Sequence, residues 1–451
     1  MQENDEIELN IESLSNLGFG IAHKDGMVVF VENSCPEDKV LAKVKKVKKS
    51  YANAITKTVI EPSCHRVEPF CSMQKVCGAC QLQFIDYDYQ LELKKKIVED
   101  AMHSIAGIDI KIENPVKSPE IKEYRYKIQY PVSQKKVSER LLVGYYKPES
   151  HEIVNLKHCP IQPAICDKIV DFIRENAIKY GISGYNEKSK TGDLRHIVLR
   201  VSKFNGNVLV VLVVNTKDVF PRLKDFTNAI KNQFDKVVGV CVNFNTKPTN
   251  VILGETSTCV VGQSYVEEKM FENTFRIGVN TFFQVNPQSA ENIFKYIKDY
   301  IKENFEKPTI LDAYAGIAAI GMSVADCADS VKSVEMSREA CENAKSGLRI
   351  NKIDNLEIIN SDTEKYLDTI KRKFDIIITD PPRKGSTQGV LDGFLKTCKK
   401  TIIYLSCNPA TLARDLKYLV EKGCKVKSIQ PFDMFCHTYH IENVAIVEMP
   451  E

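Results

Sequence analysis

Residues 402–409 read IIYLSCNP and place Cys407 at the carboxyl end of an apolar run, directly before an Asn-Pro pair. Asn-Pro stops a strand and turns the chain, and α/β sheets expose their functional groups at such strand ends. Cys407 is therefore a candidate nucleophile. The alternative is a small packing residue, and an ordinary thiol is only slightly ionised at pH 7, so nucleophilic work calls for local help. Glu442, in HIENVAIVEM, stands 35 residues further on, just before another apolar run. Such a carboxylate is idle in solvent but serves as a general base beside a bound nucleobase.

A second set of residues suits a nucleoside cofactor. The run TILD ends at Asp312 and opens into AYAGIAAIGMSVA, a turn of small residues that includes Gly316 and leads into a helix. Small side chains allow close approach of a ligand, and the turn and helix start bring N–H donors. SVE places Glu335 23 residues after Asp312, a position suited to the hydroxyls of a ribose. Asp362 ends IINSD and could receive an adenine amino group; Asp380 ends IIITDPP. Each acid taken singly reads first as a helix cap or turn residue, but four at successive strand ends describe a nucleoside pocket. No basic phosphate clamp accompanies them, which argues against a dinucleotide. FFQVNP (282–287) adds aromatic faces and the amide of Gln284, able to read a base edge.

A third constellation is Cys71-x5-Cys77-x2-Cys80, with Cys159 following in HCPIQ. Zinc more often takes two paired knuckles, whereas an iron–sulfur cluster accepts three close thiolates and one remote. Cys64 is a neighbouring competitor, read as a spare, and free loop thiols are the alternative. Cys241, Cys259, Cys327, Cys341 and Cys424 lie singly in apolar or helical surroundings and read as small core residues.

These groups need elements to hold them. Before residue 60, short alternating runs broken by Gly18, Gly20, Asp25-Gly26 and Pro36 predict a small antiparallel β-barrel, a type that often binds oligonucleotides. YDYQLELKKKIVEDAMHSI has helical spacing, and from about 121 to 270 strands dominate in a central β-rich module. The last 180 residues alternate apolar strands with helices, predicting a doubly wound, Rossmann-like α/β sheet. The expected domains are 1–60, 61–270 and 271–451. At 451 residues two or three domains are the natural division, and 43% hydrophobic with 27% charged residues describes a globular chain. No uncharged apolar run reaches 18 residues and the N-terminus is acidic, so neither a spanning helix nor a signal peptide is expected, and the protein is read as a cytoplasmic monomer. Net charge, +3, is uninformative, but residues 39–57 are strongly basic: a nucleic-acid patch or a solvated strand face.

FFQVN, ILDAYAG, SVE, ITDPPRKG, LSCNP and HIEN, in this order, resemble the RNA uracil-5-methyltransferase family over nearly the whole chain. The resemblance implies an RNA-binding barrel of the TRAM type, S-adenosylmethionine as methyl donor, Cys407 as the nucleophile on uracil C6 and Glu442 as the base at C5. It implies binding roles for Gln284, Tyr314, Glu335 and Asp380, and a four-iron, four-sulfur (4Fe-4S) cluster on Cys71, Cys77, Cys80 and Cys159. Family members that carry both barrel and cluster mostly modify 23S ribosomal RNA, and others act on transfer RNA. Two positions depart from the family pattern. Ala315-Gly316-Ile317-Ala318 stands where Cys-Gly-x-Gly is usual, and Asn443 replaces the Thr after the catalytic Glu. Two other readings compete: an amino-group methyltransferase, disfavoured by Arg383 after Asp380-Pro381-Pro382, and a non-catalytic RNA-binding or ribosome-assembly factor.

Overall fold

A computed structural model describes residues 1–134 and 140–450. Contacts divide the chain into two compact units that do not follow chain order: residues 1–118, 382–386 and 404–451 form the first, and 119–381 with 387–403 the second. Among the described residues no helix is long and apolar enough to cross a membrane.

The first unit opens with six strands within Glu6–Glu61, ordered as one sheet; against the antiparallel expectation, Met27–Glu32 pairs with Tyr51–Glu61 in parallel. Their alternating pattern sends Leu9, Ala22, Val29, Val31, Val40 and Ala52 into a common core. The expected two-residue hairpin forms at Asp25-Gly26: both have positive φ, and Lys24 pairs with Met27. Residues 62–86 contain no helix or strand. The helix Tyr87–Ala101 then begins where Asp86 caps the N–H groups of Asp88 and Tyr89. Further along the chain, this unit holds the helix Pro409–Glu421 and the antiparallel pair Lys425–Phe432 with Glu442–Glu448.

The second unit carries a six-stranded sheet whose central strands, Leu194–Val201, Val208–Val214 and Val237–Phe244, are almost wholly buried. Two helices absent from the sequence reading, Ala164–Asn176 and Pro221–Gln233, also belong to this part. Four parallel strands follow, in the order Leu356–Asn360, Ser330–Glu335, Thr309–Ala313, Phe374–Thr379. The chain winds outward from Thr309–Ala313 in one direction, then returns to its other side. That reversal is a switch point, where parallel sheets bind ligands beyond their carboxyl ends. Ala313 is level with both Val334 and Thr379, so Tyr314, Glu335 and Asp380 emerge from strand ends in step.

Candidate active site

The strand Cys398–Ser406 ends one residue before Cys407, and the helix Pro409–Glu421 begins two residues after it. Asn408 caps that helix through a 3.0 Å bond from the Ala410 N–H, while the Ser406 hydroxyl bonds both the N–H and the carbonyl of Asn408. The turn that carries Cys407 is thus fixed on both sides by side-chain bonds, and Cys407 itself is half-buried. It lines a cleft of about 610 Å³. The cleft also takes in Leu14, Leu17 and Phe30 of the small β-sheet, Ile97 and Asp100 of the helix Tyr87–Ala101, and Tyr439 with His440. That volume lies within the usual range for small-ligand pockets.

Arg383, remarked in the sequence only for not being aromatic, enters the same cleft. Its carbonyl accepts from the Thr411 hydroxyl at 3.2 Å, and Arg414 donates to the carbonyls of Lys384 and Ser386. Loop 382–386 is thereby pinned to the helix, and Arg383 Nη2 lies 2.9 Å from both ring nitrogens of His440. The cleft therefore sets a thiol beside a cation and two rings, a chemistry suited to a nucleobase with its phosphate.

Glu442 is the first residue of its strand and is half-buried. The segment before it is clamped from the helix Tyr87–Ala101. Fully buried Lys94 donates to Asp433 at 2.7 Å and to the Phe435 carbonyl at 3.2 Å, and Gln90 meets His437 at 3.3 Å. Removing one partner of a buried ion pair costs about 3–5 kcal/mol, so this contact fixes where residues 433–441 run. The Leu82 N–H, two residues after Cys80, donates to the His437 carbonyl at 2.8 Å, which ties the cysteine loop to the same segment.

In the second unit the turn after Thr309–Ala313 has positive φ at Tyr314, Gly316 and Ala318. A Cβ added at Gly316 would meet nothing within 4 Å, so the backbone faces open space there. Three of the N–H donors of this turn and helix start are spent internally. Gly316 donates to Glu335 Oε2 at 2.9 Å, Ala318 to the Ala315 carbonyl and Gly321 to Asp312. Asp312 is correspondingly an internal clamp: it is buried, accepts from the Ser333 hydroxyl at 2.9 Å, and burial pushes its carboxyl up to about 7. Glu335 is half-buried, and its second oxygen accepts from the Ser337 N–H at 2.6 Å. Asp362 caps the helix Thr363–Thr369 by accepting from the Lys365 N–H. Asp380 keeps some exposed surface, yet desolvation deep among protein atoms raises its carboxyl to about 6.

Gln284 is half-buried in the loop between Asn273–Gly278 and Pro287–Asn304, where Phe283 is buried and Phe282 is 59% exposed. Sequence reasoning missed the residue that holds this loop. Arg200, buried on a central strand, donates to the carbonyls of Val279 and Thr281, and Asn343 donates to the Thr281 hydroxyl at 2.8 Å. No local pattern marks an arginine inside a β-strand as an anchor for a loop eighty residues away.

Cys71, Cys77 and Cys80 are half-buried on a single run of turns. Burial raises the Cys77 thiol, against a hydrogen bond with the Ala79 backbone that lowers it, and nearby Cys71 raises it a little further. Cys159 is buried, and its N–H faces the Asp167 carboxylate at 3.3 Å.

Comparison with known proteins agrees with the sequence resemblance. Residues 86–449 match the family described as tRNA (Uracil-5-)-methyltransferase, and residues 1–57 match the TRAM domain. An uncharacterized RNA methyltransferase of Clostridium acetobutylicum is 36% identical over 454 residues, covering 99% of this chain and 98% of that protein. One from Halalkalibacterium halodurans is 35% identical over 455 residues, with coverage of 100% and 98%. Among solved structures, the Pyrococcus abyssi tRNA (uracil-54, C5)-methyltransferase in complex with S-adenosyl-L-homocysteine superimposes with a TM-score of 0.79 at 28% identity, covering 98% of this chain and 99% of that one. The chain belongs to the tRNA (uracil-5-)-methyltransferase family of RNA methyltransferases, with a TRAM domain at its start.

Proposed function

We propose that the protein methylates C5 of uridine in 23S-type large-subunit ribosomal RNA, with Cys407 as nucleophile and Glu442 as base. The observation that carries this reading is the placement of Cys407 at a capped strand-to-helix turn opening on the 610 Å³ cleft. C5 of uracil is too weak a nucleophile while C5=C6 is intact. Attack of the Cys407 sulfur on C6 forms an S–C6 bond and moves the π electrons to O4 as an enolate. That enolate makes C5 the nucleophile. After C5 is alkylated, Glu442 removes the C5 proton, the C–H electrons restore C5=C6, and the S–C6 bond breaks to release Cys407. Arg383 and His440 hold the target nucleotide in the cleft.

S-adenosylmethionine supplies the methyl group. Gln284, Tyr314, Gly316, Glu335, Asp362 and Asp380 are the residues assigned to hold it, and the open space over Gly316 fits a nucleoside at the switch point. We also propose that Cys71, Cys77, Cys80 and Cys159 hold a 4Fe-4S cluster, on their spacing of three close thiols and one remote. Its role in this reading is structural or in RNA docking. We further propose modules at 1–60, 61–270 and 271–451, acting as a cytoplasmic monomer. Transfer RNA is the second reading, favoured by the substrate of the Pyrococcus abyssi enzyme. Mapping 5-methyluridine in ribosomal and transfer RNA from cells lacking the gene separates the two. The chemistry is tested with RNA bearing 5-fluorouridine at the target. Fluorine cannot leave as a proton, so wild-type protein should be trapped covalently and Cys407→Ala should not; turnover by Cys407→Ala would sink the mechanism.

A further inference from the structure

We infer that Glu37, Cys64 and His65 form a zinc site that joins the small β-sheet to the cysteine loop. One ligand atom from each of the three lies within 4.8 Å of the others. The Cys64 thiol already points at Glu37 Oε2, 4.0 Å away. Zinc bound by sulfur, nitrogen and oxygen at about 2.0–2.3 Å sets its ligands about 3.3–3.8 Å apart. Closing the trio needs about 1 Å of movement, which the exposed Glu37 and Cys64 side chains supply by rotation about the half-buried His65 ring.

The three residues are brought together by a buried scaffold and not by chance proximity on a surface. Asp38 is 1% exposed and accepts from the Cys35 N–H at 2.6 Å, the Ser63 N–H at 3.0 Å and the Arg66 guanidinium at 2.7–3.0 Å. That carboxylate knits turn 35–38 to turn 63–66. Glu37 lies beside it on the first turn, while Cys64 and His65 fall between its two partners on the second. Glu37 is held at φ 73°, a conformation uncommon for its type, with its N–H bonded to the Ile11 carbonyl. The His65 ring stacks on Tyr89 at 3.6 Å between centroids and 12° between planes, which limits its rotation. Arg66, the nearest cation on this chain segment, is committed to Asp38 and does not compete for the trio.

The donor set selects the ion. Thiolate with imidazole disfavours magnesium and calcium, and a single sulfur with nitrogen and oxygen suits zinc, with water in the fourth position. On binding, the Cys64 thiol gives up its proton, and one thiolate plus one carboxylate neutralise the divalent charge. Residues 62–86 have no helix or strand of their own, so a metal tie at 64–65 would fix the start of the segment that carries Cys71, Cys77 and Cys80.

The test uses full-length protein purified anaerobically, loaded with zinc chloride and dialysed against zinc-free buffer. Wild type should keep about one zinc per chain. Cys77→Ser, which spoils the other cysteine set, should keep it as well, whereas Cys64→Ser and His65→Ala should lose it. Cys64 is exposed, so serine there leaves folding intact. X-ray absorption at the zinc edge should show one sulfur among lighter ligands. Added zinc should raise the melting temperature of wild type but not of Cys64→Ser. Equal zinc in wild type and Cys64→Ser, or a zinc shell made of sulfur alone, would overturn the assignment.

Discussion

The side-chain amide of Asn443 donates to the main-chain carbonyl of Ser406 at 3.3 Å, joining the residue after Glu442 to the residue before Cys407. Asn443 is fully buried, so this bond forms where water cannot replace it. The family's usual threonine at this position also carries a donor, though on a shorter arm. The bond ties together the strand ends that carry Cys407 and Glu442, the proposed nucleophile and base. Asn443→Ala should cost about 1–3 kcal/mol of stability by stranding the Ser406 carbonyl. If Glu442 is the base, as proposed, it should also lower kcat more than KM, because that carboxylate loses its position while the cleft keeps its walls. Asn443→Thr should recover part of both losses. Wild-type kcat in Asn443→Ala would show that the bond is only structural.

On the proposed mechanism, Glu442→Gln should separate the two halves of the reaction. The amide cannot take the C5 proton, but Cys407 and the methyl donor are untouched, so the methylated adduct should form and persist. On a denaturing gel the variant should run as an RNA–protein complex, with turnover reduced by roughly 10²–10⁴-fold, the usual worth of a general base. A variant that neither accumulates adduct nor loses activity would place the base elsewhere.

Much of this site is written in short segments. LSCNP contains its own strand stop, helix cap and N1 proline, and Asp25-Gly26 its own turn, because these interactions reach only a few residues. Long-range partnerships are not legible in this way. Lys94 and Asp433 are 339 residues apart and read as ordinary surface charges until the fold buries them together. The four acids at strand ends were equivalent in sequence, yet Asp312 turns inward to Ser333 and Gly321, and Asp362 caps a helix. Ala318 departs from the expected glycine, and the structure gives the reason glycine suits: its φ is 57°. An alanine in that region carries about 1–2 kcal/mol of strain.

Asp312 gives a pH signature. Burial lifts its carboxyl to about 7, against bonds from Ser333 and Gly321 that pull it down. The unfolded chain releases this proton near pH 4, so between about pH 4 and 7 the native state holds a proton that the unfolded state has lost. Stability from this group is complete at low pH and is lost as pH rises through about 7, by up to about 1.4 kcal/mol per unit. In Asp312→Asn the amide oxygen can still accept both bonds, and the titration is gone. The melting temperature of wild type relative to the variant should fall between pH 5 and 7 and level off above. A constant difference across that range would mean that Asp312 ionises normally.

The basic stretch of the small β-sheet makes the last prediction. Lys46 on the strand Lys39–Val47, and Lys48 and Lys49 just beyond it, are exposed, whereas Lys45 is bound to Glu32 at 2.7 Å and is less available. If this strand end follows an RNA backbone, each lysine that meets a phosphate releases a counterion, and binding weakens with salt at about 0.7 log units per contact for a single strand. Replacing Lys46, Lys48 and Lys49 together by Glu should therefore weaken RNA binding at low salt and reduce the slope of log K against log salt by about 2. S-adenosylmethionine affinity should not change, because its assigned residues lie in the other compact unit. The fold should survive, since the buried face of the strand is carried by Val40, Ala42 and Val44. If affinity and slope both stay at wild-type values, the stretch is a solvated strand face and RNA is engaged elsewhere.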